Sequence, residues 1–181
     1  MPKIETARLR CRKINVQDLD ALTLLVSDPD VMKYLGVEAG TLMTRDETEV
    51  ALAGMIEFWA EHGFGRWAVL DKAHGRLIGL CGFRLLEDTP ELFYLFDKVS
   101  WGKGLATEAA TACLRFAFEE LGFQRIVAVT RHSHTASIRV MTKIGMRYEK
   151  EVMHSGVNAV CYVATPSEYQ PGDAPYKLGR E

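Results

Sequence analysis

The length, composition and charge of the chain limit the classes of protein to which it can belong. Its 181 residues, of which 48% are hydrophobic, suit one globular domain with a sizeable core. The 22 Lys and Arg residues nearly balance the 24 Asp and Glu residues, so a nucleic-acid partner is not expected. We find neither a signal-peptide pattern nor an apolar run near the roughly 18 residues of a membrane span. A cytoplasmic protein without a membrane partner is therefore expected.

Strands and helices are predicted to alternate along the chain. In order they are strand 9–14, helix 16–28, a helical turn at 31–35, helix 45–62, strands 66–70, 76–86 and 91–97, helix 105–121, strand 125–131, helix 135–144, and strands 146–154 and 158–165. Thr44 and Glu47 form a capping box ahead of the second long helix, and Gly63 closes it. A turn is predicted at 88–90. From Pro166 onward the apolar residues are too few to anchor the chain, so residues 166–181 are predicted to be a flexible tail.

The segment W-G-K-G-L-A-T-E-A, residues 101–109, is the most informative stretch. It follows a strand-like run and precedes a long amphipathic helix. Glycine allows turns that other residues avoid, and the free N–H groups at a helix N-terminus attract anions. This segment therefore predicts a loop that binds a diphosphate-bearing ligand. With strand 125–131, it completes a βαβ-like unit with parallel neighbours.

This loop, the later run A-S-I-R-V-M-T-K-I-G-M (residues 136–146) and the order of the elements resemble the GNAT superfamily of acyl-CoA N-acetyltransferases. The W-G-K-G form and the stretch V-S-D-P-D-V-M-K-Y-L (residues 26–35) resemble its ribosomal-protein N-terminal acetyltransferase, or Rim-type, branch. The resemblance implies an α/β (α+β) fold in one domain, residues 1–165. It also implies a central mixed, mostly antiparallel sheet of about six to seven strands, flanked by helices.

The resemblance also implies acetyl-CoA as the co-substrate. Trp101, Gly104 and Ala106 occupy the three defining positions of the family's phosphate loop. The main chain of Leu95 and Phe96 is expected to pair with the pantetheine arm as an additional strand would. The complete set of residues assigned to the acetyl-CoA site is Leu95, Phe96, Trp101, Gly102, Lys103, Gly104, Leu105, Ala106, Thr107, His134, Ser137 and Lys143.

The catalytic residues are less clear, because His134 replaces the family's asparagine and Met141 replaces the tyrosine acid of many relatives. Ser137 is the candidate for protonating the leaving group, although a serine near a helix start also serves as a cap. Glu91 is the candidate base, and the alternative is a solvated charge at a strand end. His134 is a second candidate base, and the alternative is a polar residue that holds the turn.

The remaining residue types suggest no metal or redox chemistry. Cys11, Cys81, Cys113 and Cys161 occur singly, which predicts four free thiols. His132 and His134 lack a third ligand at a metal-site spacing, so no metal is expected. Two tryptophans, Trp59 and Trp67, are predicted to lie in the core rather than in an acceptor groove.

The predicted reaction is direct attack of a primary amine on acetyl-CoA in a ternary complex. Neutralising a lysine at pH 7 costs about 4.6 kcal/mol against about 1.4 for an α-amine, so a protein or peptide N-terminus is the preferred acceptor. A polyamine, amino acid or antibiotic acceptor remains an alternative, as does an acyl-CoA-binding sensor without turnover. A nicotinamide dehydrogenase is disfavoured because Thr107 and Arg131 stand where glycine and an acidic residue are needed. A monomer or a homodimer is expected.

Overall fold

The computed structural model describes residues 2–35, 40–154, 156–170 and 172–180. These residues form a sheet of nine strands in the order β7-β8-β6-β5-β4-β3-β2-β1-β9. In chain order the strands are β1 (Pro2–Thr6), β2 (Leu9–Lys13), β3 (Arg66–Asp71), β4 (Leu77–Leu86), β5 (Thr89–Phe96), β6 (Ile126–Arg131), β7 (Arg147–His154), β8 (Val157–Ala164) and β9 (Tyr176–Arg180).

Helices connect and cover this sheet. They are α1 (Leu19–Val26), α2 (Pro29–Met32), α3 (Arg45–His62), α4 (Leu105–Glu119) and α5 (Thr135–Lys143), with short 3-10 turns at Val16–Asp18 and Lys98–Ser100. None of the helices in the described ranges is long and apolar enough to cross a membrane. The α/β fold class with a mixed sheet flanked by helices is confirmed.

Local sequence signals explain the best-predicted helix, α3. The Glu47 amide donates to Thr44 Oγ1 at 3.3 Å, and the Thr44 amide donates to Glu47 Oε2 at 2.8 Å. Gly63 ends the helix with a φ of 73°, a backbone conformation that favours glycine. Both ends of the helix therefore lie where the capping box and the glycine predict.

The sheet separates between β5 and β6. These two strands are parallel and pair at Glu91 and Val127, whereas every other neighbouring pair is antiparallel. Beyond that single pair, the main chain of β5 no longer bonds to β6. A gap therefore opens on the β6 side of β5, just before the glycine-rich loop.

Four predictions about the fold are corrected by the structure. The sheet has nine strands rather than six or seven, because β1 and β9 add to one edge. The chain from Pro166 onward does have anchors, since Tyr176 and Leu178 pack on the core and Leu178 pairs with Ile4. The predicted helical turn at 31–35 lies earlier, because the Asp28 side chain caps α2 at its first residues. The turn predicted at 88–90 consists instead of residues 87–88, and β5 begins immediately after it.

The core includes both tryptophans in question. Trp67 is fully buried, and its ring lies 4.7 Å from that of Trp59, centroid to centroid. Trp59 Nε1 also donates to the Arg66 carbonyl at 2.8 Å. Both rings are therefore core residues, as predicted. The four cysteines are buried free thiols.

Candidate active site

A cleft of about 300 Å³ lies at the gap between β5 and β6. Side chains alternate between the two faces of a strand, so Glu91 and Phe93 lie on one face of β5, and Leu92 and Tyr94 lie on the other. All four nevertheless line this one cleft. The cleft therefore passes through the sheet, and two molecules can approach its centre from opposite sides.

The register of β4 and β5 determines which main-chain groups face the gap. Asp97 N donates to the Ile78 carbonyl at 2.8 Å, and Leu86 pairs with Thr89 across the hairpin turn. Because hydrogen-bonded and non-hydrogen-bonded pairs alternate, Leu95 bonds to Leu80 in β4, and the main chain of Tyr94 and Phe96 faces the gap. Leu95 is thus less suited to the predicted pantetheine pairing than its two neighbours are.

The glycine-rich loop has the backbone geometry of an anion site. Gly102 and Gly104 adopt φ values of 73° and 76°. Gly104 caps α4 without any side-chain hydrogen bond, so the first amides of the helix have no acceptor from a cap. Trp101 is half exposed, and its Nε1 donates to the Phe96 carbonyl at 2.9 Å, which fixes the loop to the end of β5. Free amides and a helix N-terminus match the chemistry of a diphosphate.

Glu91 is buried in the cleft and forms an ion pair. It is 2% exposed, and it accepts from Arg84 Nε at 2.5 Å and from Arg84 Nη2 at 3.2 Å. Both carboxylate oxygens therefore have a partner already, although each retains a further lone pair. The prediction placed Glu91 at the cleft, but the sequence pattern did not show its partner. The two residues face each other across β4 and β5.

A second guanidinium lies beside this ion pair. Arg66 stands 4.9 Å from the centroid of the Phe93 ring, and Arg84 stands 5.3 Å from the same centroid. Burial, together with repulsion from Arg84, lowers the pKa of Arg66 to about 10, which still leaves it charged at neutral pH. Two positive charges thus lie near the Glu91 carboxylate, Arg84 in the lining of the cleft and Arg66 behind it against the Phe93 ring.

Ser137 lies on the other face of the cleft, next to Met141. Its Oγ is 2.7 Å from the Tyr94 hydroxyl oxygen, and that hydroxyl also reaches the Ser137 carbonyl at 3.0 Å. Burial raises the pKa of Tyr94 well above its ordinary value, which keeps the phenol protonated. Sequence reasoning missed Tyr94, and the only available signal was a tyrosine in the strand before the loop.

His134 lies at the N-terminus of α5 and lines the cleft. Its ring stacks on Tyr34 with a centroid separation of 4.1 Å, and its Nδ1 is 3.2 Å from Thr130 Oγ1. Burial lowers the pKa of His134, so the neutral imidazole predominates at pH 7. His132 faces elsewhere and contacts Glu151, with 3.3 Å between Nε2 and Oε1. Within the described residues, no three His, Cys, Asp or Glu side chains form a metal-binding group.

Comparison with known proteins identifies the family. The sequence profile of the family described as "Acetyltransferase (GNAT) domain" matches residues 8–147, well over half of the chain. This chain is a GNAT acetyltransferase. An uncharacterized protein of Bacillus subtilis, YkkB, is 34% identical over 83% of this chain and 88% of its own length. Further Bacillus relatives are named N-acetyltransferases, and the chain is an acetyl-CoA-dependent N-acetyltransferase.

Solved structures support the same assignment. A GNAT-family acetyltransferase from Bacillus anthracis is 30% identical, with a TM-score of 0.79 over 92% of this chain and 99% of that one. RimL, a ribosomal L7/L12 α-N-protein acetyltransferase solved with coenzyme A, shares 17% identity at a TM-score of 0.76 over 88% of this chain and 95% of that one. The RimL comparison establishes a shared fold. The resemblance to the ribosomal branch therefore holds at the level of the fold.

In this acetyltransferase the predicted site residues fall into two groups. Glu91, His134 and Ser137 line the same cleft, and residues 101–107 form the loop at the N-terminus of α4. Lys143 lies apart, exposed in the last turn of α5. Its role toward acetyl-CoA stays a prediction, as does each catalytic role.

Proposed function

We propose that this acetyltransferase transfers the acetyl group of acetyl-CoA to an α-amine by direct attack inside the cleft. The observation that carries the proposal is the single cleft that passes through the sheet and is lined from both faces of β5. Such a passage lets the thioester and the amine meet without a covalent acyl-enzyme. No cysteine lines the cleft within the described part of the chain, which supports direct transfer.

The end of β5 and the glycine-rich loop that follows it suit acetyl-CoA. The amides of the loop from Gly102 to Thr107 would hold the diphosphate, because a helix N-terminus favours negative charge. The main chain of Tyr94 and Phe96 would bond to the amides of the pantetheine arm. The Phe96 carbonyl already accepts from Trp101, so at that residue we assign the contact to the N–H group. These contacts would place the thioester beside Ser137 and Met141.

The amine must lose its proton for the reaction to proceed. We assign Glu91 to this step, either as the acceptor of the proton or as the group that orients the water that takes it. The carboxylate lies in the cleft, and the ion pair with Arg84 fixes it in position. His134 is the second candidate, because its neutral imidazole can accept a proton.

The sulfur of the departing coenzyme A must gain a proton, and we assign Ser137 as the group that donates it. The single proton of the Tyr94 hydroxyl can go to the Ser137 carbonyl or to Ser137 Oγ. When Tyr94 donates to Oγ, the serine hydroxyl is free to donate to the sulfur. The amine gives up one proton and the released thiol takes up one, so the reaction is balanced in protons. Tyr94 acts here as a positioning residue, since burial keeps its own proton in place.

We expect Tyr94→Phe to lower kcat about tenfold with little change in the Michaelis constant for acetyl-CoA. The substitution removes the hydroxyl that orients Ser137 but keeps the ring. Tyr148→Phe is the matched control, because Tyr148 is exposed on β7 and lies outside the cleft lining. Steady-state kinetics with acetyl-CoA varied will separate the two constants. An equal effect of both substitutions would exclude the positioning role.

The charge of the cleft narrows the choice of acceptor. Among the described residues that line it, Arg84 and Arg131 carry positive charge, and Glu91 is the one carboxylate. A polyamine would bring several positive charges to this surface, which is unfavourable. The α-amine of a peptide or an amino acid is therefore the acceptor class that the cleft favours.

An acceptor screen tests the proposal. The purified protein is mixed with acetyl-CoA and with peptides of different first residues, free amino acids or spermidine, and release of thiol is measured. We expect at least one peptide or amino acid to be acetylated about tenfold faster than spermidine, measured as kcat/KM. Faster acetylation of spermidine would contradict the acceptor class. Binding of acetyl-CoA without thiol release from any acceptor would favour the sensor alternative.

A further inference from the structure

Arg8 lies in the connection between β1 and β2, far in sequence from the glycine-rich loop but in contact with it. Its Nη1 donates to the Lys103 carbonyl at 2.9 Å, and its Nε donates to Glu108 Oε2 at 2.7 Å. The first contact is to the loop, and the second is to the first turn of α4. One guanidinium thus connects both sides of the turn that presents the loop amides.

Glu108 completes this connection. Its Oε1 accepts from the Arg8 amide at 2.8 Å and from Thr6 Oγ1 at 2.6 Å. Partial burial by itself would raise the pKa of Glu108, but the hydrogen bonds from Thr6 and Arg8 outweigh it, and the pKa is lowered. The carboxylate therefore stays ionised at neutral pH. It anchors the β1–β2 connection to the first turn of α4.

The remaining guanidinium nitrogen points along the loop. A Cβ built on Gly104 would lie 3.7 Å from Arg8 Nη2, so this nitrogen is beside the glycine that begins α4. An arginine has five N–H donors, and the contacts above occupy two of them. The Arg8 side chain is half exposed, so solvent reaches part of it. A positive charge thus stands at the edge of the predicted anion site.

We propose that Arg8 is a positioning residue for the phosphate loop and supplies a charged donor to the diphosphate of coenzyme A. The inference rests on the proposed use of this loop. A surface ion pair alone contributes little to stability, so a role in folding is not the main consequence of the contact. Loss of Arg8 removes a donor to the diphosphate. It also removes the hydrogen bond to the Lys103 carbonyl, which holds the loop in place.

The test is a calorimetric titration of the full chain with coenzyme A, dephospho-CoA and pantetheine. Arg8→Met is expected to raise the dissociation constant for coenzyme A and for dephospho-CoA about tenfold or more. Pantetheine lacks the diphosphate, so its binding should be the same in the variant and the wild type. Arg8→Lys keeps the positive charge but loses the forked guanidinium. Its dissociation constant for coenzyme A should therefore lie between those of the wild type and of Arg8→Met.

Arg10→Met is the matched control. Arg10 is also half exposed on the same part of the sheet, but it bonds to Glu5 rather than to the loop. The Arg10→Met variant should bind coenzyme A, dephospho-CoA and pantetheine as the wild type does. Thermal melting should show that both Arg8→Met and Arg10→Met are folded. A tenfold loss of affinity in Arg8→Met that is confined to coenzyme A would assign Arg8 to the 3′-phosphate and overturn the proposal. An unchanged affinity for coenzyme A in Arg8→Met would also overturn it. Failure of the wild type to bind coenzyme A would instead refute the proposed function.

Discussion

Replacing Gly104 by valine is expected to raise the Michaelis constant for acetyl-CoA about tenfold or more, with the fold retained. Gly104 has a φ of 76°, in the left-handed region where a β-branched residue is strained by about 1–3 kcal/mol. The loop will relieve this strain by changing its backbone, which turns the amides at the start of α4 away from the diphosphate. Steady-state kinetics with acetyl-CoA varied will measure the effect.

Gly63→Val is the control for this substitution. Gly63 has a nearly identical φ of 73° at the end of α3, and a Cβ added there meets no atom within 4 Å. It therefore introduces the same backbone strain at a distance from the loop. Both variants should lose stability to a similar extent in thermal melts, but only Gly104→Val should bind acetyl-CoA poorly. An unchanged Michaelis constant in Gly104→Val would refute the assignment of the phosphate loop.

The parts of the fold that were predicted well are those with local signals. The capping box at Thr44 specifies where α3 begins, and Gly63 specifies where it ends. The glycine-rich loop and the helix behind it are equally local. These features depend on hydrogen bonds and backbone conformations within a few residues, so one stretch of sequence contains all the information.

The edge strands lack such a signal. β9 pairs with β1, and the two segments lie at opposite ends of the chain, at Tyr176–Arg180 and Pro2–Thr6. Each segment alternates polar and apolar residues over only a few positions, which is too short a pattern to predict a strand. β1 pairs with both β2 and β9, and β9 is a strand because it pairs with β1. Sequence reasoning therefore predicted a flexible tail where the structure has a ninth strand.

The candidate site shows the same difference between what local sequence signals predict and what depends on contacts between distant segments. The positions of Glu91, His134 and Ser137 in one cleft follow from the order of the elements, which the sequence predicts. Their partners come from elements that the pattern did not connect: Arg84 from the neighbouring strand, and Tyr94 from the other face of β5. The contact of Arg8 with the loop was even less predictable, because the two residues that form it are separated by 95 positions in the sequence. Side-chain contacts over such separations are products of the tertiary fold.

Glu91→Gln is expected to lower kcat about 100-fold at pH 6.5 and much less at pH 9. An acceptor α-amine has a pKa near 8, so above that pH it is neutral without help from the enzyme. Below it, the fraction of neutral amine falls about tenfold per pH unit, and removal of a base then has its largest effect. Protonation of His134 should not shape the profile above pH 6.5, because burial lowers its pKa.

Loss of the ion pair with Arg84 must be separated from loss of the base, and Glu149→Gln provides the control. Glu149 accepts two hydrogen bonds from Arg125, at 2.8 Å and 2.5 Å, and lies on β7 outside the cleft lining. Breaking that pair removes a similar contact without touching the site, so kcat should stay near the wild-type value at every pH. A loss of kcat in Glu91→Gln that is equal at pH 6.5 and pH 9 would show that Glu91 only holds Arg84, and it would leave His134 as the base.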